Sequence, residues 1–220
     1  MGAVLRRWAM PLLADLDRIS GELIRSRATE VRYEYPRPGD LLHVDVKKLG
    51  RIPDGGGWRL DGVRALDHNG LDRTPVGFEY VHVAVDDHTR IAYAEVLTDE
   101  KVGTCAAFLH RAAQWFHDTH RVTIRRVLTD NAMSYRRGND WAAICVALQI
   151  RRRFTKPFCP WTNGKAERFN RTLLTEWAYS QPWRSNEQRA AAFDGFLHRY
   201  NTRRGHTAAG GRPPISRLAA

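Results

Sequence analysis

The residues best suited to chemistry are three acids, Asp45, Asp130 and Glu167. Asp45 stands in a strand-like run between Val44 and Val46, where a buried, unpaired carboxylate is expensive. Asp130 ends the apolar run that begins at Val122, and open α/β sheets present ligands beyond the carboxyl ends of their parallel strands. Glu167 lies about one turn inside a helix that opens after Asn163 and Gly164. It sits off the apolar stripe of Ala166, Phe169, Leu173 and Trp177. Each acid alone has a plain structural alternative. Asp45 could pair with Lys47 or Lys48, Asp130 could cap a helix or close an Asx turn, and Glu167 could be a surface acid among Lys165, Arg168 and Arg171. Clustered in a partly dry site, the three would repel one another, and a divalent cation relieves that repulsion. Oxygen ligands suit Mg²⁺, and two ions about 3.5–4 Å apart could activate an attacking oxygen and stabilise the leaving oxygen of a phosphoryl displacement.

Elements must bring these acids together. Leu41–Lys47 alternates as a strand, with Leu42, Val44 and Val46 on one face and His43, Asp45 and Lys47 on the other. Residues 50–75, rich in Gly, Asp and Arg, read as an extended hairpin or flap. Glu79–Val85 and Arg90–Leu97 are the next strands, joined by a tight turn at Asp86–Thr89, so the first three form an antiparallel meander. A helix over about 100–119 leads to a fourth strand, Val122–Thr129. A helix near 139–148, the strand Gln149–Phe154, the helix bearing Glu167 and a last helix over about 186–201 complete the order. The tail Gly205–Ala220, with its Gly and Pro pairs, reads as extended. That order, βββαβαβα, matches an α/β ribonuclease-H-like fold: a five-stranded mixed sheet with helices on both faces. A crossover after the meander makes the first and fourth strands neighbours, which would bring Asp45 to Asp130.

Composition narrows the partner. The 220 residues fit one α/β domain with arms, and a formal net charge of +11 points to a polyanion, nucleic acid before membrane. No segment approaches membrane-spanning length. The apolar stretch after Arg6 and Arg7 is short, interrupted by Pro11 and followed by Asp15 and Asp17, which argues against a signal peptide. Cys105, Cys145 and Cys159 are widely spaced, suggesting neither a disulfide framework nor a metal clip, and fit a reducing cytoplasm.

The text around the acids carries a resemblance. His43-Val-Asp-Val46, Leu128-Thr-Asp-Asn131 and the run Thr162–Leu173 are similar to the three signatures of the integrase catalytic core. The stretch Arg37–Gly57, together with Tyr200-Asn201 and Gly210–Pro214, resembles DDE transposases of bacterial insertion sequences in the IS481 group. The resemblance implies that Asp45, Asp130 and Glu167 form the catalytic triad and bind two Mg²⁺ (or Mn²⁺) ions. It implies hydrolysis at a transposon end to free a 3′-hydroxyl, then attack of that hydroxyl on target DNA without a covalent protein–DNA intermediate. Asn170 and Arg171 would touch DNA near the cleaved phosphate, with Lys165 and Arg168 as further DNA contacts. The expected organisation is an N-terminal arm over 1–36, the remnant of a helix-turn-helix region, a catalytic core over 37–202 and a C-terminal tail over 203–220. Joining two DNA ends implies at least a homodimer, working at the nucleoid in the bacterial cytoplasm. Two departures stand out. Thirty-six residues separate Asp130 from Glu167, one more than is usual in the family, with the extra residue expected in the Arg136–Asn139 loop. The chain also begins too late to hold the DNA-reading elements expected ahead of the core. A nuclease that cuts without joining, or a truncated DNA-binding remnant, are the alternatives.

Other motifs read more plainly. His117 and His120 suit a solvated helix end rather than zinc, and Asp86-Asp87 suits a turn. Asp118 and Asp140 suit surface or capping positions. Trp161 could stack on a base or pack beneath its loop. Arg151-Arg-Arg153 could bind phosphates or form a solvated basic edge.

Overall fold

The computed structural model describes residues 34–53, 56, 60, 76–156 and 160–218, without the side chains of Pro160 and Trp161. Residues 1–33 of the expected arm, most of the 50–75 flap, residues 157–159 and the Trp161 side chain therefore lie outside the described residues. The chain divides after Glu34 into two units, and the described residues belong almost wholly to the second, the compact unit Tyr35–Ala220.

That second unit is built on a sheet of five strands: β1 (Leu42–Gly50), β2 (Phe78–Asp86), β3 (Ala92–Leu97), β4 (Arg126–Thr129) and β5 (Arg151–Phe154), in the order β3-β2-β1-β4-β5. β1–β2 and β2–β3 pair antiparallel, and β1–β4 and β4–β5 pair parallel. This is the mixed sheet of the ribonuclease-H-like fold. The helices are α1 (Val102–His120), α2 (Met133–Arg136), α3 (Asn139–Ala147), α4 (Gly164–Leu173), α5 (Asn186–Ala191) and α6 (Phe193–Thr202).

Period-2 alternation gives the sheet two apolar faces, each with its own core. Leu42, Val44 and Val127 pack with Phe108 and Phe116 of α1 and Trp141 of α3. On the other face, Val81, Val83 and Val85 pack with Phe169 of α4, Trp177 and Phe196 of α6. After Leu173 the backbone opens into a π-type turn over Leu174–Ala178, with the Tyr179 N–H bonded to Leu174 O at 2.9 Å. The wider turn lets neighbouring residues Trp177 and Ala178 both enter the core.

Several boundaries differ from expectation for local reasons. β4 begins at Arg126 rather than Val122, although Val122 and Ile124 still enter the core ahead of the ladder. β5 starts at Arg151, since Gln149 takes a left-handed conformation with φ 56°. The last helix is two helices, divided at Ala192. The tail is not extended: short 3₁₀ turns at Thr207–Ala209 and Pro214–Arg217 and a bridge between His206 and Arg212 fold it back. Leu218 then packs on the first core. Asn201 caps the start of edge strand β3 by accepting the Ala92 N–H at 2.9 Å and donating to Ala92 O at 2.8 Å.

Candidate active site

The parallel register of β1 and β4 sets the first two acids. His43 lies opposite Leu128, and the same register continued by two residues puts Asp45 and Asp130 in one row. Asp45 is half-buried. Burial raises its carboxyl from 3.8 to about 6, and the negative charges of Asp130 and Glu167 push the same way, against the Val46 N–H and Lys47. Asp45 thus lies within electrostatic reach of both other acids.

Asp130 is exposed. One of its oxygens accepts the Ala132 N–H at 2.9 Å, closing the Asx turn that its residue type favours. Its other oxygen makes no bond among the described residues. Asn131 braces this turn by donating to Thr155 O at 3.0 Å and accepting from Arg136 Nη1 at 2.8 Å. Glu167, in the first turn of α4, is exposed and has no ion-pair partner among the described residues, despite the cations around it in sequence. It is not a surface acid neutralised by its neighbours. Arg168 and Arg171 are also exposed, and their guanidinium groups have no carboxylate partner among the described residues.

Asn170 and Lys165 both bond to carboxylates of the sheet and its β2–β3 turn. Asn170 is buried rather than turned outward, and its amide donates to Asp45 Oδ2 at 2.7 Å. Its Oδ1 is buried and unpartnered, an acceptor beside the acids. The Lys165 ammonium is taken up by Asp87. A buried carboxylate holds an ammonium strongly, so Lys165 ties the start of α4 to Asp87.

Asp87 is the centre of a buried network that sequence reasoning reduced to a turn. Its Oδ1 accepts from His43 Nε2 at 2.8 Å and from Lys165, and its Oδ2 accepts the Tyr35 N–H at 2.6 Å. Burial works to raise this carboxyl, but the bonds from His43, Lys165 and Tyr35 overcome it and bring it down to about 2. The other nitrogen of His43 meets Asn163 Oδ1 at 3.0 Å, and Asn163 donates to Val44 O at 3.2 Å. Asn163 occupies the N-cap position of α4, yet its side chain caps nothing there and reaches across to β1 instead. The start of α4 is therefore tied to β1, next to Asp45, and to the β2–β3 turn. Asp86 is buried too, accepting from Gly39 N at 2.8 Å and from both the N–H and hydroxyl of Thr89 at 2.7 Å. The available signal was two adjacent acids in a turn and a His two residues before Asp45. What they bind depends on chain crossings that spacing does not reveal.

Among the described residues, no three His, Cys, Asp or Glu side chains are drawn together tightly enough to grip a metal ion as they stand. The donor chemistry nevertheless fits a hard divalent cation. The acids are oxygen ligands, two of them raise the third, and an unpartnered amide oxygen adjoins them. His117 pairs with its neighbour Asp118 at 2.9 Å, and His120 lies edge-on to Trp115. Asp140 sits exposed in the first turn of α3.

Comparison with known proteins agrees with this architecture. No curated protein sequence matches the chain. Among solved structures, one similar chain is from the simian T-cell lymphotropic virus intasome in complex with PP2A regulatory subunit B56 gamma, with TM-score 0.63 and 16% identity over 86% of this chain. The match spans 57% of the length of that chain. The HTLV-2 integrase catalytic core domain in complex with magnesium, in a dimeric form, gives TM-score 0.56 and 13% identity, covering 83% of this chain and 98% of that one. The BIV integrase catalytic core domain gives 0.52 and 19%, covering 81% and 92%. These likenesses establish the fold. Sequence profiles described as Integrase core domain match residues 36–160 and 148–214. With more than half its length matched in this way, and with the sheet order of that fold, the chain belongs to the integrase core domain family.

Proposed function

We propose that the chain is a DNA strand transferase of the transposase kind, in which Asp45, Asp130 and Glu167 act together on phosphodiesters. The observation that carries this reading is the parallel register of β1 and β4, which sets Asp45 level with Asp130, while burial, and then the negative charges of Asp130 and Glu167, raise the Asp45 carboxyl. Such mutual repulsion suits a site made to be completed by cations. Asp45, Asp130 and Glu167 would hold Mg²⁺ (or Mn²⁺), two ions in this reading, in keeping with the magnesium of the HTLV-2 core complex. Bound there, the metal would polarise phosphoryl oxygens and neutralise the charge they gain in an in-line displacement. Asn170 would keep Asp45 oriented through its 2.7 Å bond. Arg168 and Arg171, exposed on α4, would hold the DNA backbone near the reacting phosphate, while Lys165 acts through Asp87 to set the helix.

The chemistry is two displacements at phosphorus. Water adds to the phosphorus at a transposon end, the P–O3′ bond breaks, and the 3′-oxygen leaves as a hydroxyl. That 3′-hydroxyl then forms a new P–O bond on target DNA, displacing a target 3′-hydroxyl. No protein nucleophile is needed. With DNA as the partner the chain would work at the bacterial nucleoid, and joining two ends calls for a dimer or larger assembly. Among the described residues, no helix is long and apolar enough to cross a membrane.

The test supplies pre-cleaved donor ends, Mg²⁺ or Mn²⁺ and a target plasmid. Joined product is expected from the parent chain and none from Glu167→Gln or Asp45→Asn. Joining that survives either substitution would sink the mechanism. Cutting without joining would mark a nuclease.

A further inference from the structure

β5 is the outermost strand of its edge, and three exposed arginines, Arg151, Arg152 and Arg153, fill most of it. At the opposite edge Asn201 bonds the first residue of β3, Ala92, and no described strand lies beyond β5. Pairing fixes which way these side chains point. Arg151 is opposite Arg126, and Arg153 is opposite Leu128, which is itself opposite His43. Residues in one row share a face, so Arg151 and Arg153 stand on the face that carries Asp45. Arg152 is opposite Val127 and shares the other face with Phe154, towards the α1–α3 core.

The positions are graded towards the acids. Thr155, whose N–H donates to Thr129 O at 2.9 Å, continues the row of Asp45 and Asp130. Arg153 stands two residues, about 7 Å, before that row along the strand, and Arg151 about 7 Å further back. Arg126 lies between β1 and Arg151, anchored to Asp40 O at 3.2 Å and over the Tyr35 ring. Neither Arg151 nor Arg153 has a carboxylate partner among the described residues. Charged side chains do protect open sheet edges from pairing. Such protection asks only for charge on the edge, whichever face carries it, and so is separable from phosphate binding by experiment.

We propose that Arg151 and Arg153 form a phosphate-binding track on the catalytic face, holding the backbone of duplex DNA that runs along the β5 edge into the active site. The duplex is either the donor flank or the target, and Arg126 supports the track from the neighbouring strand. This rests on the strand-transferase reading for what happens at the end of the track, but binding itself is testable without catalysis.

The experiment measures affinity for a labelled duplex against salt concentration, for the parent, the Arg151→Gln/Arg153→Gln double variant, the Arg151→Lys/Arg153→Lys variant and Arg152→Gln. Each lost phosphate contact flattens the log–log salt slope by about 0.9. The double Gln variant should therefore flatten it by about 2. The Lys pair should keep the parental slope, and Arg152→Gln should change it little. An unchanged slope in the Gln variant overturns the track. So does an equal loss from Arg152→Gln, which would report net charge alone. A Gln variant that self-associates with its slope intact would make the arginines edge protection only. Joining assays then separate the two sources: a donor-flank track raises the donor concentration needed for half-maximal joining, and a target track raises that of the plasmid. A parent chain that binds with the expected slopes but joins nothing would refute the strand-transferase reading and leave the track standing.

Discussion

Asp45 concentrates the tension of this site. A carboxyl whose folded value, about 6, lies above its unfolded value of 3.8 favours the fold while it is protonated. Stability is lost as pH rises from about 4 to about 6, amounting to about 3 kcal/mol at neutral pH without metal. A divalent cation needs the ionised form, so its binding should offset this loss only once the proton has left. Melting temperature with and without Mg²⁺ is expected to show a larger increment at pH 7.5 than at pH 5. An increment independent of pH would argue that Asp45 is not a ligand. Asn170 belongs to the same unit, since its amide is spent on Asp45 and its oxygen has no other partner.

At the scale of elements, α4 carries Glu167 and is anchored at its first turn by polar contacts rather than by a cap. Asp87, His43, Asn163 and Lys165 form that anchor, with the first three almost wholly buried. Removing one member of a buried charged cluster leaves the others unsatisfied and typically costs about 3–5 kcal/mol, so Asp87→Asn should lower the unfolding free energy obtained from urea titration by about that much. Its acid dependence should change as well. The Asp87 carboxyl lies near 2 in the fold against 3.8 unfolded, so its contribution is complete above about pH 4 and is lost as pH falls from there towards 2. The variant should lack that acid-labile part, about 2 kcal/mol. A variant as stable as its parent at both pH values would mean that α4 is held by Phe169 and Leu173 alone.

At the scale of the molecule, one sheet separates two cores among the described residues. Asp45 is on the strand between them, and Glu167 is on the helix that closes the second. Phe108→Ala strikes the first core and Phe169→Ala the second, each at a cost of about 3–5 kcal/mol. Because both cores share β1, β2 and their ladder, each variant should shift a single unfolding transition downward, with fluorescence and circular dichroism melts still coincident. Two separated transitions in either variant would show that the cores unfold independently.

Period-2 alternation, helical stripes and turn residues were enough to identify the five strands in order, the helix bearing Glu167, and the basic character of the surface. These are local properties, written in neighbouring residues. Sequence also named Asp45, Asp130 and Glu167 as the acids to follow. It made β1 and β4 neighbours but could not fix the register that sets Asp45 level with Asp130. Nor could it show that Lys165 and Asn170 turn inward, that Asp87 joins His43 to the start of α4, or which arginines of β5 share a face with Asp45. Local pattern decides which face of its own element a side chain takes, but only the packed sheet decides what stands opposite.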